Sequence, residues 1–199
     1  EVLSNVKGDL DSNLFDNEIT RLTLESIQAV KQIQENDGES GANRYIISNN
    51  ESALNVMETF ALFKLNNWEN LSVDIIPLFE SVDDLQNAHV IMEKLYTNPA
   101  YAEHLANRNH KQTIMLGFSD GTKDGGYVMA NWSIYKAKEE LTAMSIKYGI
   151  KVIFFDGRGG PPARGGGKTH KFYASLGPKI ENKEIQITVQ GQTISSNFG

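Results

Sequence analysis

The feature that most limits the fold is an alternation. Five short apolar runs, each closing on a polar residue or glycine, take turns with stretches of helical spacing. "YIIS" (Tyr45–Ser48) precedes "ESALNVMETFALFKL", and "VDIIPLFE" (Val73–Glu80) precedes "SVDDLQNAHVIMEKLY". "TIMLGFSD" (Thr113–Asp120) leads through a glycine-containing turn to a helix from about Tyr127 to Tyr148. "KVIFFDG" (Lys151–Gly157) and "IQITVQG" (Ile185–Gly191) complete the set. Runs apolar at consecutive positions suit strands covered on both faces, as parallel strands are, and the intervening helices provide the crossovers. The expected class is therefore α/β, a partial β/α barrel of about five parallel strands, because five cannot close an eight-stranded barrel. Pro77 lies inside the second run and argues against an uninterrupted strand there.

Ahead of the alternation, residues 1–43 form a helical lead-in and loop. Ile19, Leu22, Leu24, Ile27, Val30 and Ile33 recur at mostly helical spacing between Asn17 and about Asn36, until "ENDGESGAN" ends the pattern. Residues 44–199 carry the strands. A hydrophobic fraction of 40% with 22% charged residues is that of a soluble globular protein. No apolar run approaches the roughly 18 residues that span a bilayer, so no membrane role is expected. The net charge of -6 opposes attraction to a nucleic-acid backbone. The absence of cysteine fits a reducing cytoplasm, and "EVLSNVKGDL" lacks the features of a signal peptide.

In α/β folds of either kind, ligands gather at the carboxyl ends of the strands. Those ends carry Ser48, Glu80, Asp120, Asp156 with Arg158, and Gln190, while Ser81 and Asp84 have the spacing of a capping box. After the fourth run comes "FFDGRGGPPARGGGKTHKF", rich in glycine and holding Arg158 and Arg164. Its "GGGKT" imitates the end of a phosphate loop, but the first glycine of that pattern is replaced by Pro162, which has no N–H to offer a phosphate. Arg-Gly segments that bind RNA repeat in low-complexity surroundings, whereas this one occurs once between strands. A glycine-rich loop that brings two guanidiniums to a small anion fits better.

Four motifs in order, "LFESVDDL", "MLGFSDGTKDGG", "FDGRGGPPARGGGKTH" and "ITVQGQTISSNFG", resemble phosphoenolpyruvate carboxylase from roughly Arg44 onward. The resemblance implies a piece of a longer, mostly helical enzyme built around a β/α barrel. It implies carboxylation of phosphoenolpyruvate with bicarbonate to oxaloacetate and phosphate, with Mg²⁺ or Mn²⁺, in a homotetrameric parent. Glu80 and Asp120 match the family's metal carboxylates; hard divalent ions take few carboxylates and complete their shell with water and substrate oxygens. Arg158, Arg164 and Lys123 match catalytic positions, and Asp156, Arg158, Gly159, Gly160 and Arg164 fall where substrate binds.

Two departures accompany the resemblance. Asp156 stands where the family commonly has histidine, and Pro161-Pro162-Ala163 stiffens the loop. The Thr-Ala-His-Pro-Thr-Glu segment, whose histidine acts on carboxyphosphate in the family, is not in these 199 residues. The chain alone is therefore expected to be inactive. The alternative expectation is a non-catalytic α/β domain of the same descent that binds an anion or metal.

Overall fold

A computed structural model describes residues 10–68, 70–117, 119–157 and 167–188. After a 3₁₀ turn, α1 (Glu18–Asp37) leads through a second 3₁₀ turn into β1 (Arg44–Ile47), α2 (Ala53–Leu65), β2 (Asp74–Phe79), α3 (Val82–Tyr96) and α4 (Pro99–Asn107). Then follow β3 (Lys111–Leu116), α5 (Ser119–Lys147), β4 (Lys151–Asp156), α6 (Thr169–Ala174) and β5 (Ile185–Ile187). The five strands lie side by side in chain order, and every neighbouring pair is parallel. An order that never reverses is that of consecutive strands in a β/α barrel; a doubly wound sheet would contain a switch point. The expected α/β class and strand number are thus observed.

The helices cover one face of this sheet. Ile75, Phe79, Ile114, Leu116, Val152 and Phe154, at alternate positions of β2, β3 and β4, share one core with Phe63, Leu85, Met92, Tyr101 and Leu141 from the helices. Residues of opposite parity point to the other, inner face, where Leu78, Met115 and Phe155 are half-buried and Ile46 is exposed. Burying the outer-facing side chains stabilises by about 1.5–3 kcal/mol each, so this core holds the layers together.

Local signals place several boundaries. Asn17 Oδ1 accepts the Thr20 N–H at 3.0 Å and starts α1. Ser81 and Asp84 form the capping box, with bonds of 3.0 and 3.1 Å, so α3 begins directly after Glu80. Asn98 caps α4, with Pro99 in its first turn. In α5, Gly126 at φ 79 separates a first segment from the long helix that the sequence predicts near Tyr127; the segment ahead of it is helical rather than a turn. Asp120 accordingly lies at the start of α5 and not on the third strand, which stops at Leu116.

Pro77 does not interrupt β2. The Asp74 N–H donates to Asn43 on the β1 side and the Phe79 carbonyl accepts from Gly117 on the β3 side. Alternation along a parallel strand therefore turns the Pro77 nitrogen toward β3, where pairing begins only at Leu78. Gln112 fills the gap, donating to the Ile75 carbonyl at 3.1 Å while its Oε1 accepts the Tyr101 hydroxyl at 2.9 Å. Among the described residues, no helix is long and apolar enough to cross a membrane.

Candidate functional site

Phe79, Leu116 and Asp156 are Cα partners across β2, β3 and β4. The next residue on each chain, Glu80, Gly117 and Gly157, has inner-face parity, so one carboxylate and two glycines line the carboxyl edge of three adjacent strands. Gly117 donates its N–H to the Phe79 carbonyl at 2.8 Å, which draws it against Glu80. A Cβ at position 117 would lie 3.1 Å from Glu80 Cγ and 3.2 Å from its Cα. At position 157 it would lie 3.2 Å from Met115 Cε and 3.3 Å from the Leu116 carbonyl oxygen. The glycines make a low floor, across the first of which the Glu80 side chain runs. Glu80 is half-buried and stands at the amino end of α3, where the helix dipole favours a negative charge.

On the outer side of the same edge the chemistry is different. Asp156 shares the parity of Val152 and Phe154 and turns toward the helices. Its Oδ2 receives Lys138 Nζ of α5 at 2.7 Å and the Tyr173 hydroxyl of α6 at 2.5 Å. Lys138 is 2% exposed and Asp156 3%. The ammonium also lies 5.5 Å from the ring centroids of both Phe154 and Tyr173. Burial, and then the charge of Asp156, pushes the Tyr173 phenol above its ordinary range, so it stays protonated and donates. Beyond Lys138, an apolar cavity of about 520 Å³ opens between α5 and α6, lined by Tyr127, Trp132, Phe172 and Leu176 among others.

The chain is similar to known proteins over nearly its whole length. The family model for phosphoenolpyruvate carboxylase matches residues 9–199. The chain belongs to the phosphoenolpyruvate carboxylase family. A phosphoenolpyruvate carboxylase of Nitrosomonas eutropha is 36% identical over 196 residues, covering 95% of this chain and 21% of the relative. Another, from Rhodothermus marinus, is 33% identical over 212 residues and covers 100% of this chain and 22% of its own length. The chain therefore spans about a fifth of the length of the curated relatives it matches. Among solved structures, a citrate lyase from Burkholderia xenovorans matches with a TM-score of 0.47 at 11% identity, over 93% of this chain and 60% of that one.

Of the residues that resemblance to phosphoenolpyruvate carboxylase singles out, Glu80 lies on the inner face and Asp156 on the outer. Asp120 lies in the first turn of α5, three residues after Gly117 in the chain, and its side chain is not among those described. Lys123 is exposed on the same short segment. Arg158, Gly159, Gly160, Arg164 and Gln190 lie outside the described residues. Ser48 is exposed after β1. Among the described residues, no group of three or more His, Cys, Asp or Glu is placed to hold a metal. His104 is a core residue packed between Phe60 and Tyr101, and burial lowers its pKa to about 4.

The sequence reading passed over Lys138 and Tyr173. A signal for Lys138 was present, because it occupies the same helical stripe as the buried Ile134, Ala137 and Leu141, where an apolar residue belongs. Tyr173 had none. Its helix follows the glycine-rich segment so closely that "THKFYA" reads as more loop.

Proposed function

We propose that this chain contributes to a phosphoenolpyruvate carboxylase reaction centre in which phosphoenolpyruvate and bicarbonate give oxaloacetate and phosphate. The observation that carries the proposal is the Glu80 carboxylate on the inner face, lying across Gly117 where three consecutive parallel strands end. Family membership supports it, and so does the convergence of ligand sites at this end of β/α barrels. Glu80 and Asp120 would hold Mg²⁺ or Mn²⁺; an oxygen donor set with neither sulfur nor imidazole suits hard cations. Two protein carboxylates leave coordination positions for water and substrate oxygens. When bound, such an ion supplies charge stabilisation at substrate oxygens.

The remaining roles belong to cationic side chains. Arg158 and Arg164 would bind phosphate and carboxylate oxygens through planar donor forks and offset the negative charge that develops during transfer. Gly159 and Gly160 would let the backbone approach the substrate closely, and Lys123 would add a charge near Asp120. The 199 residues alone are expected to be inactive, since they lack the histidine segment that the family uses.

The test is oxaloacetate formation by the full-length protein, followed by coupled NADH oxidation, for wild type and Glu80→Gln at varied Mn²⁺. A loss on the order of 100-fold or more is expected, with folding intact, because metal electrostatics contribute several kcal/mol to such transition states. An unchanged Mn²⁺ dependence in Glu80→Gln would place the ion elsewhere. Full-length protein that binds Mn²⁺ without forming oxaloacetate would identify a binding domain instead of an enzyme.

A further inference from the structure

We infer that Asp156, although it stands beside the glycine-rich segment, is a positioning residue that touches no substrate: with Lys138 and Tyr173 it forms a buried clamp that fixes the chain on both sides of that segment. The proposal deepens the carboxylase reading and rests on it for its kinetic test. Its first support is parity. Asp156 shares the face of Val152 and Phe154, whereas the candidate carboxylate Glu80 has the parity of Gly117 and Gly157 on the opposite face. A side chain directed into the helix layer does not also reach a ligand on the inner face.

The second support is occupancy. Oδ2 already receives two donors, Lys138 Nζ at 2.7 Å and the Tyr173 hydroxyl at 2.5 Å, and the residue is 3% exposed. A buried carboxylate bound to a buried ammonium and a protonated phenol is neutralised where it stands, and releasing it to meet an anion would leave the lysine charge unpaired. Repulsion adds to this, since phosphoenolpyruvate and bicarbonate are themselves negative.

The third support is where the partners lie in the chain. Asp156 is the last residue of β4, Tyr173 belongs to α6 on the far side of the glycine-rich segment, and Lys138 comes from the middle of α5. One oxygen thus ties the strand that enters the segment to the helix that leaves it, and both to the helix beneath. Gly157 carries this constraint directly to the inner floor. The clamp acts on the reaction by fixing the strand end and Gly157, from which the chain runs on to Arg158.

The pair of charges provides a test that separates positioning from contact. In the full-length protein, Asp156→Asn and Lys138→Met each remove one charge, and the double variant removes both. Each single variant should lose tenfold or more in kcat, with KM for phosphoenolpyruvate and bicarbonate altered less than about twofold; the double variant should regain most of that loss. Tyr173→Phe keeps the ring and loses only the hydrogen bond, so a smaller drop of roughly threefold is expected. A readout independent of carboxylation is the rate of tryptic cleavage after Arg158 and Arg164. It should rise in the single variants and return toward wild type in the double variant, even if the wild-type protein forms no oxaloacetate.

A tenfold rise in KM for either substrate in Asp156→Asn, unrepaired by Lys138→Met, would make Asp156 a substrate ligand and overturn the proposal. Single variants that melt earlier but keep wild-type kcat and tryptic pattern would also overturn it, leaving the cluster a stability element alone. Single variants too unstable to purify are covered by the double variant. Tyr173→Phe then separates the outcomes: lower kcat with faster tryptic cleavage in that variant supports the clamp, wild-type values of both overturn it, and a double variant that folds and is inactive makes Asp156 itself required, so that the clamp falls.

Discussion

The two sides of one strand edge meet opposite demands. On the outer side, Asp156, Lys138 and Tyr173 are packed beneath helices, and the Asp156 carboxylate is matched by both donors. On the inner side, Glu80 lies half-buried over a glycine floor, and the neighbouring apolar residues Met115 and Phe155 keep part of their surface open. A buried charge is tolerated only with its partner, whereas a carboxylate at a half-buried edge keeps contact with solvent. Two acidic residues at the ends of the second and fourth apolar runs of the sequence therefore have different physical fates. The difference is decided by a single step in strand parity.

The comparison can be broken most forcefully at Lys138. In chemical denaturation of the full-length protein, Lys138→Met should cost about 3–5 kcal/mol, since it strands a buried carboxylate, while Glu80→Gln should stay within about 1 kcal/mol. Equal losses would mean that the two sides are not built differently.

Acid should expose the same asymmetry. His104 is part of the outer layer, and its folded pKa of about 4 lies below the ordinary 6.5, first through burial and then through the nearby charges of Arg108 and Lys64. Between those two values the unfolded chain binds the proton that the folded chain refuses. Stability is then fully present above pH 6.5 and falls as pH drops toward 4, by roughly 3 kcal/mol. Below pH 4 both states are protonated and this contribution levels off. Thermal melts of wild type and His104→Gln across that window should converge on lowering the pH; parallel curves would remove His104 as the cause.

The inner floor should respond differently, in function before stability. Gly117→Ala sets a methyl 3.1 Å from Glu80 Cγ and must push that side chain aside. The expected cost is about 1–2 kcal/mol in stability with about a tenfold loss of Mn²⁺-dependent turnover, because small displacements of a reacting group are costly. Wild-type turnover in Gly117→Ala would show that Glu80 needs no such floor. The smallest effect is expected from Ser81→Ala, which removes half of the capping box behind Glu80 and should cost about 1 kcal/mol in a denaturant titration.

Much of this fold could be read in advance because its determinants are local. Continuous apolar runs mark β1, β2 and β4 to within a residue or two, while β3 stops at Leu116, short of the end of its run, and the Ser81–Asp84 box starts α3 where its spacing says. Less legible were features where neighbours override local preference. Pro77 is accommodated because β2 has no ladder partner at that point and Gln112 takes over the Ile75 carbonyl. The first segment of α5 is helical despite its glycines, with Gly126 absorbing the change of direction. Glu80 was identifiable as a site residue from its place at a strand end, but its support by Gly117 appears only when two strands are laid in register.

By itself the sequence determined the class, the order of the strands along the chain, and the family, because hydrophobic period, caps and ordered motifs are properties of neighbouring residues along the chain. Tertiary structure alone decided which carboxylate faces the open side. Glu80 and Asp156 each follow an apolar run and each precede a loop or helix, so nothing local distinguishes them. Their directions depend on the register of β2 against β3 and β4, and on a lysine 18 residues away from Asp156 that burial brings to 2.7 Å. The energetic reason is that a buried ion pair forms only where packing delivers both charges together, and that meeting is a property of the folded layers.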